Sequence, residues 1–330
     1  AQKARGGALG RWAGAMDASR MTGDGTGKRA GVNLSPARGE AAREPGRGCR
    51  PDGSPGVPVS RRARRSWELR PAGRLTTISA PMCGITGVVW KQGPDRALIA
   101  AMTARLAHRG PDDEQLWTGP DAALGFRRLS IIDPEGGRQP VTNEDGGIVA
   151  VCNGEIYNHQ ALRQVLERSG HRFRSASDAE VIPHLYEVHG PEFVRLLHGK
   201  FALLLFDADR RRLVAARDGM GLKPLYYLDT PAGLWLASEI KSLMLAPDFR
   251  PAVDRRSLDQ LLTFKHIPGD ATLLEGIRFL SPGHRLVYDV AAGQALIEPF
   301  FAIPDRPQVV GMAEAAGEVR RRFDEAVRLR

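Results

Sequence analysis

From residue 82 onward the apolar residues come in short runs, and that spacing constrains the fold more than any other feature of the chain. Runs of four to seven residues recur at 84–90, 122–126, 129–132, 148–152, 201–206, 213–216 and 225–228. Each is strand-sized and too short for a core helix. Helical spacing appears at 94–108, where Leu98, Ile99, Met102 and Leu106 fall on one face, and again at 156–168 and 178–189, the last interrupted by Pro183. Further on, 255–264 reads as a helix, 280–289 lies among loop and strand pieces, and 312–329 places Val319, Phe323 and Val327 on one helical face. Few helices among many short strands predict an α+β chain with helices packed on antiparallel sheets, not a βαβ repeat.

Residues 1–81 differ in kind. They hold 16 Lys and Arg against 6 Asp and Glu, while the remaining 249 residues hold 31 against 32. The whole basic excess of the chain therefore belongs to this segment. It is rich in Gly, Arg and Pro, has only Trp12 and Trp67 as aromatics, and shows no sustained period. Such a stretch cannot bury enough apolar surface to offset its ordering entropy, so it is expected to be disordered; a separate reading is that it does not belong to the mature protein. Its Arg-rich, acid-poor character has something of a transit peptide, and a basic tail can touch RNA or an anionic surface. Without interleaved aromatics or a recognisable motif, a nucleic-acid partner is not expected.

Three cysteines, Cys49, Cys83 and Cys152, are an odd number with no CxxC pair. This argues against a disulfide framework or a cysteine zinc site and favours a reducing compartment; no metal ligands are expected. No run approaches the length of a membrane span, and no signal-peptide core stands near the start. A cytoplasmic protein without a membrane partner is the expectation. Neither GxGxxG nor GxxxxGK[ST] occurs, so no phosphate-cradling loop is present in the sequence.

Chemistry first suggests itself at Cys83, which opens a strand-like run with Gly84 beside it to allow close approach. A thiol needs a base, and no histidine obviously supplies one. A cysteine at a true N-terminus needs none, because its own α-amine titrates at about 7.7–8.0 and can take the thiol proton. Met82, placed just before a small residue, is what such a start looks like. Taken alone, Cys83 reads equally as a small buried strand residue.

The strings around it add context. Met82-Cys83-Gly84-Ile85, His108-Arg109-Gly110-Pro111-Asp112, Arg128-Leu129-Ser130-Ile131, Asn153-Gly154-Glu155-Ile156-Tyr157-Asn158 and Ser177-Asp178-Ala179-Glu180 follow one another. Arg217-Asp218 with Gly221-Leu222-Lys223-Pro224-Leu225-Tyr226-Tyr227, and then Ala237-Ser238-Glu239, complete the order. Together they resemble the class II glutamine amidotransferase domain of glutamine-hydrolysing asparagine synthetases. The resemblance is strong over 82–245 and looser to the end of the chain.

That resemblance implies a four-layer αββα sandwich of the N-terminal-nucleophile hydrolase type over 82–300, preceded by the disordered extension 1–81. It also implies that 301–330 is a linker and the first helix of a synthetase domain that is otherwise missing. Cys83 matches the nucleophile. Arg128 matches the arginine that grips the α-carboxylate of glutamine through a bidentate fork, and Asp178 the aspartate that takes the α-ammonium. Asn153, by its side-chain amide, and Gly154, by its backbone N–H, match the oxyanion hole, worth about 3–4 kcal/mol per donor in comparable sites. Glu155 lines the same pocket. No cofactor is implied for glutamine hydrolysis; ATP and Mg²⁺ belong to the synthetase domain. The partners implied are glutamine, that synthetase domain and a second copy of the chain.

Each residue also has a plainer reading. Arg128 can be a surface arginine beside Arg127, Asn153-Gly154 a turn pair, and Asp178 a helix N-cap. Cys152 reads as core, Arg109 and Asp112 as structural supports of the loop, and Arg217 with Asp218 as a buried ion pair. Two features depart from the family pattern. Eighty-one residues precede Met82, and a Cys83 blocked by them has no α-amine, so a boundary at Met82 is expected. The Ser-Gly-Gly-x-Asp-Ser pyrophosphate loop of the synthetases is also absent from this sequence. Three alternatives stay open: an amidotransferase serving an amino-sugar or a surface glycan, a non-catalytic relative, and a nucleic-acid-binding protein acting through its tail.

Overall fold

The computed structural model describes residues 82–93, 95–130, 137–303, 305 and 309–329. The expected disorder of 1–81 lies outside them. Two six-stranded antiparallel sheets form the centre. The first runs β10-β8-β9-β1-β3-β2 and the second β12-β11-β7-β6-β5-β4. In chain order the first sheet is built from β1 (Gly84–Trp90), β2 (Asp113–Thr118), β3 (Ala122–Arg128), β8 (Tyr226–Thr230), β9 (Gly233–Ala237) and β10 (Ile277–Phe279). The second takes β4 (Val141–Thr142), β5 (Ile148–Ile156), β6 (Gly199–Asp207), β7 (Arg212–Arg217), β11 (His284–Asp289) and β12 (Gln294–Pro299).

The sheets face each other across one apolar layer. Ile85, Val89, Leu124 and Phe126 of the first meet Val149, Val151, Leu204, Phe206 and Leu213 of the second, all 1% exposed or less. A fully buried side chain of this kind contributes about 1.5–3 kcal/mol, which makes this layer the dominant stabilising block. Strands that expose neither face explain why the runs read as continuously apolar instead of alternating.

Helices cover the outer faces. On the first sheet, α1 (Arg96–Ala104) sets Ile99 and Met102 against Val88, Ala123 and Trp235. Asp95 caps α1 by accepting from the Ala97 N–H at 2.7 Å. Gly125 lets this helix sit close: a Cβ there would lie 2.0 Å from Thr103 Oγ1. The short α4 (Ile240–Leu243) buries Leu243 on the same side. On the second sheet lie α2 (His159–Arg168) and α3 (Val181–His189), which bury Leu162, Leu166, Ile182 and Leu185. The result is the four-layer αββα sandwich. Pro183 does not interrupt α3, because it falls in the first turn, where no N–H has an intrahelical partner.

Several expectations shift by a few residues or fail. The strand expected at 129–132 is not formed at Leu129 and Ser130, and its remainder lies outside the described residues. Arg217 and Asp218 are both buried but form no ion pair with each other. Neighbouring side chains at a strand end point apart, and each serves backbone instead. The Arg217 guanidinium donates to the carbonyls of Gly221, Lys223 and Leu280 and lies 3.6 Å over the Phe279 ring. Burial lowers its pKa to about 10. The Asp218 carboxylate accepts backbone N–H bonds from Phe201, Met220, Leu222 and Lys223. Further along, α5 (Arg255–Phe264) keeps the expected bounds. In α6 (Met312–Arg328) Val319, Phe323 and Val327 share the expected face, and all three are more than half exposed.

Candidate active site

Cys83 stands immediately before β1, at the edge of the layer between the sheets. Its backbone is held from both sides: the Met82 N–H donates to the Arg109 carbonyl at 2.8 Å, and Arg109 Nε donates to the Cys83 carbonyl at 3.1 Å. Arg109 is itself fixed by Glu239, whose Oε1 lies 3.0 Å from its Nη1. The structural role expected of Arg109 is therefore specific: it clamps the nucleophile candidate. Asp112 supports the neighbouring loop by accepting from the Ser130 N–H at 2.8 Å.

The thiol packs against the end of β3. Leu129 N–H donates to Cys83 Sγ at 3.3 Å, and Sγ lies 3.6 Å from the Leu129 carbonyl. Burial pushes the thiol pKa up. The Leu129 hydrogen bond and the positive charges of Lys223, Arg128 and Arg109 oppose that shift without cancelling it. One cavity joins Cys83 to Arg128, Gly154, Glu155 and Asp178. Arg128, 5% exposed, is thus not a surface arginine. A larger cavity of about 310 Å³, bounded by Lys200, Asp218 and Phe300, contains none of these residues. The candidate residues gather in the smaller one.

Asp178 does not cap a helix through its own side chain. Ser177 accepts from the Ala179 N–H at 3.3 Å, and the Asp178 carboxylate reaches across to the Ile156 N–H at 2.7 Å. Burial raises its pKa, against that hydrogen bond. Asn153 and Gly154 are not a turn either, since they lie within β5 opposite Ala202 and Phe201 of β6. Gly154 has φ +149°, and a Cβ there would lie 1.9 Å from the Lys200 carbonyl oxygen. Only glycine fits.

Asn153 is 1% exposed and continues the inward face of Val149 and Val151, but it is not on the cavity wall. Both ends of its amide, Nδ2 and Oδ1, are buried without a hydrogen-bond partner. Such a group costs stability unless something else uses it. Glu155 pairs with Lys200 at 3.2 Å.

Three contributors escaped the sequence reading. Leu129 acts through its backbone, which no side-chain pattern reports. Gln139, also on the wall, clamps Cys152 by donating to its carbonyl at 3.1 Å and accepting from its N–H at 2.6 Å. Lys223 places its ammonium 3.5 Å from Met82 Sδ. Cys152 is core, as expected, and burial holds its thiol far from ionisation.

Residues 82–301 match the family model described as a glutamine amidotransferase domain. The chain belongs to this family. Among curated glutamine amidotransferases it is 48% identical over 168 residues to asparagine synthetase [glutamine-hydrolyzing] 3 of Arabidopsis thaliana, covering 49% of this chain and 28% of that protein. It is 38% identical over 207 residues to asparagine synthetase [glutamine-hydrolyzing] 1 of Bacillus subtilis, covering 61% of this chain and 33% of that one. The chain thus spans a third or less of the length of these relatives. Among solved structures, the allosteric regulatory enzyme of purine biosynthesis aligns at TM-score 0.50 and 19% identity, over 68% of this chain and 50% of that one. This likeness is one of fold. The domain is accordingly a glutamine amidotransferase domain homologous to the glutaminase half of asparagine synthetases. No helix among the described residues is long and apolar enough to cross a membrane.

Proposed function

We propose that Cys83, once its α-amine is freed from Met82, is the nucleophile that hydrolyses glutamine in this cavity. One observation carries the reading: a thiol, a guanidinium and a carboxylate, on Cys83, Arg128 and Asp178, share one small enclosure. Free glutamine presents the complementary set of an electrophilic amide, an α-carboxylate and an α-ammonium. Arg128 takes the carboxylate and Asp178 the ammonium. Placing that ammonium beside Asp178 offsets the desolvation that otherwise raises its pKa.

The Cys83 amine accepts the thiol proton, and the thiolate adds to the side-chain carbonyl carbon. The Gly154 N–H on the cavity wall steadies the oxyanion that forms, and the unpartnered Nδ2 of the adjoining Asn153 is the second donor once its buried amide turns toward the cavity. Collapse breaks the C–N bond, the amine returns the proton, and ammonia departs, leaving a thioester. Water, deprotonated by the same amine, attacks the thioester, and glutamate leaves as the thiol is restored. Glu155 and its Lys200 partner close the side of the pocket.

The ammonia is intended for an acceptor elsewhere. The relatives' names favour aspartate, converted to asparagine with ATP and Mg²⁺ in a synthetase domain joined through 301–330. In that reading 82–300 is the glutaminase unit, the protein is cytoplasmic, and the exposed face of α6 belongs to the next domain. The test compares glutamate release by a chain beginning at Cys83 with that of the same chain carrying Cys83→Ala. Activity in the first and none in the second is expected; equal rates overturn the assignment.

A further inference from the structure

A second cluster of donors lies where α3, the turn after α2 and the β4–β5 turn meet. Glu144, His171, His184 and Glu187 each bring a ligand-type atom within 4.8 Å of all the others. His184 is 0% exposed, and neither of its ring nitrogens makes a hydrogen bond. Its Nδ1 lies 3.3 Å from Glu144 Oε2 without hydrogen-bond geometry. His171 Nδ1 stands 3.3 Å from the other oxygen of the same carboxylate and 3.9 Å from Glu187 Oε2. A fully buried imidazole without a hydrogen bond is costly, and interiors seldom leave one so.

From this geometry we infer a structural site for a divalent transition metal of the zinc class, held by His171, His184, Glu144 and Glu187. Two imidazoles and two carboxylates suit such an ion in softness and charge. Four ligands at roughly 2.0–2.2 Å in a tetrahedron stand about 3.3–3.6 Å apart; the donor atoms here lie within 4.8 Å of one another, with His184 Nδ1 to Glu144 Oε2 at 3.3 Å and His171 Nδ1 to Glu187 Oε2 at 3.9 Å. The carboxylates are also oriented from outside: Arg172 N–H donates to Glu144 Oε1 at 2.8 Å, and Asn143 Nδ2 lies 3.5 Å from Glu187 Oε2. That leaves Glu144 Oε2, which faces His184, as the ligand atom, an arrangement typical of supported metal ligands. A surface cavity bordered by Glu144, His171 and Glu187 gives an ion access. His184 and Glu187 lie three residues apart on one face of α3. Cysteine arithmetic was blind to the cluster because its donors are His and Glu. The inference does not depend on the glutaminase reading, since none of these residues touches the Cys83 cavity.

The experiment uses the full chain, stripped with EDTA, reloaded with Zn²⁺ and freed of excess metal by gel filtration. Elemental analysis is expected to find one zinc per chain, and the melting temperature to rise on reloading. Co²⁺ is expected to give visible d–d bands without the near-ultraviolet charge-transfer absorption of a thiolate ligand. The His171→Gln/Glu187→Gln double variant, altered at partly exposed positions, is expected to bind at least tenfold more weakly, as metal sites do when their ligation is disturbed, and to lose the melting shift. If that variant fails to fold, Glu187→Gln alone gives the comparison, with the same direction expected. Absence of retained zinc in the unaltered chain, thiolate absorption with Co²⁺, or undiminished binding by the folded variant overturns the inference.

Discussion

Replacing Asn153 with alanine should damage catalysis while sparing the fold, an unusual pairing for a residue 1% exposed. Both polar atoms of its amide are buried and unpartnered. Leaving a buried polar group unsatisfied costs about 1–3 kcal/mol, and the substitution removes that cost. Against this stands a cavity of roughly 25 Å³, which at about 24 cal/mol per Å³ costs about 0.6 kcal/mol. The balance raises stability by about 0.4–2.4 kcal/mol, at about 2–4 °C per kcal/mol in a domain of this size. If Nδ2 donates to the developing oxyanion, its loss lowers kcat by about 10²–10³, equivalent to about 2.7–4 kcal/mol. The assays are glutamate release by a chain beginning at Cys83 and a thermal melt of the same preparation. A melting temperature that falls by several degrees while activity drops less than tenfold would refute the reasoning, because it would make Asn153 a packing residue.

Other perturbations address the supports of the site. Because burial raises the Cys83 thiol, its thiolate fraction at neutral pH is small. Iodoacetamide should therefore modify the Met82-bearing chain slowly, at a rate still climbing above the ordinary thiol range of about 8.5, whereas a chain beginning at Cys83 should react faster near pH 8. Gly154→Ala drives a Cβ into the Lys200 carbonyl and should separate β5 from β6, costing about 3 kcal/mol or more in denaturant unfolding. Asp218→Ala strands four backbone N–H groups at once and should cost at least about 3 kcal/mol by the same measurement, with no specific effect on glutamine binding. Arg128→Lys keeps the charge but loses the fork; it should raise KM for glutamine about tenfold or more with a smaller change in kcat, checked by steady-state kinetics.

What the sequence made legible follows from which forces are local. β1 and β6, at the centres of their sheets, announce themselves because both faces of their runs at 84–90 and 201–206 are buried and nearly all apolar, whereas β9, equally buried but only five residues long, passed unread. β2 carries Asp113, Glu114 and Gln115 on an edge and passed unnoticed, since an edge strand satisfies its polar residues with water and cross-strand pairs such as Glu114–Arg127. β12 has the same excuse, with Gln294 and Glu298 in its run. Cys83, Arg128, Gly154, Glu155 and Asp178 line one cavity although they come from four separate segments, and Asn153 lies off its wall. Spacing alone left Asp178 as a cap and Asn153-Gly154 as a turn. Pairing of β5 with β6 and the reach of Asp178 to Ile156 decided otherwise, and both are long-range in the chain.

Burial dominates the electrostatics of Cys83. Three cations, on Lys223, Arg128 and Arg109, bear on the thiol, and a backbone N–H bonds it directly, yet burial outweighs them all. A site built to activate a thiol by charge alone would show the opposite balance, as cysteines beside a positive histidine do. No histidine contacts Sγ among the described residues. On the reading proposed above, the base is the Cys83 nitrogen, the group joined to Sγ through its own residue, which here is in peptide linkage with Met82. Lys223, packed at 3.5 Å against Met82 Sδ, touches the very residue whose departure would expose that nitrogen. A lysine whose pKa burial has already lowered would then adjoin the newly charged amine and disfavour its protonated form, as a like charge does. Lys223→Met should therefore leave the terminal amine protonated to higher pH and move the alkaline onset of glutaminase activity upward. An unchanged pH profile in that variant would leave the amine's basicity to the cavity alone.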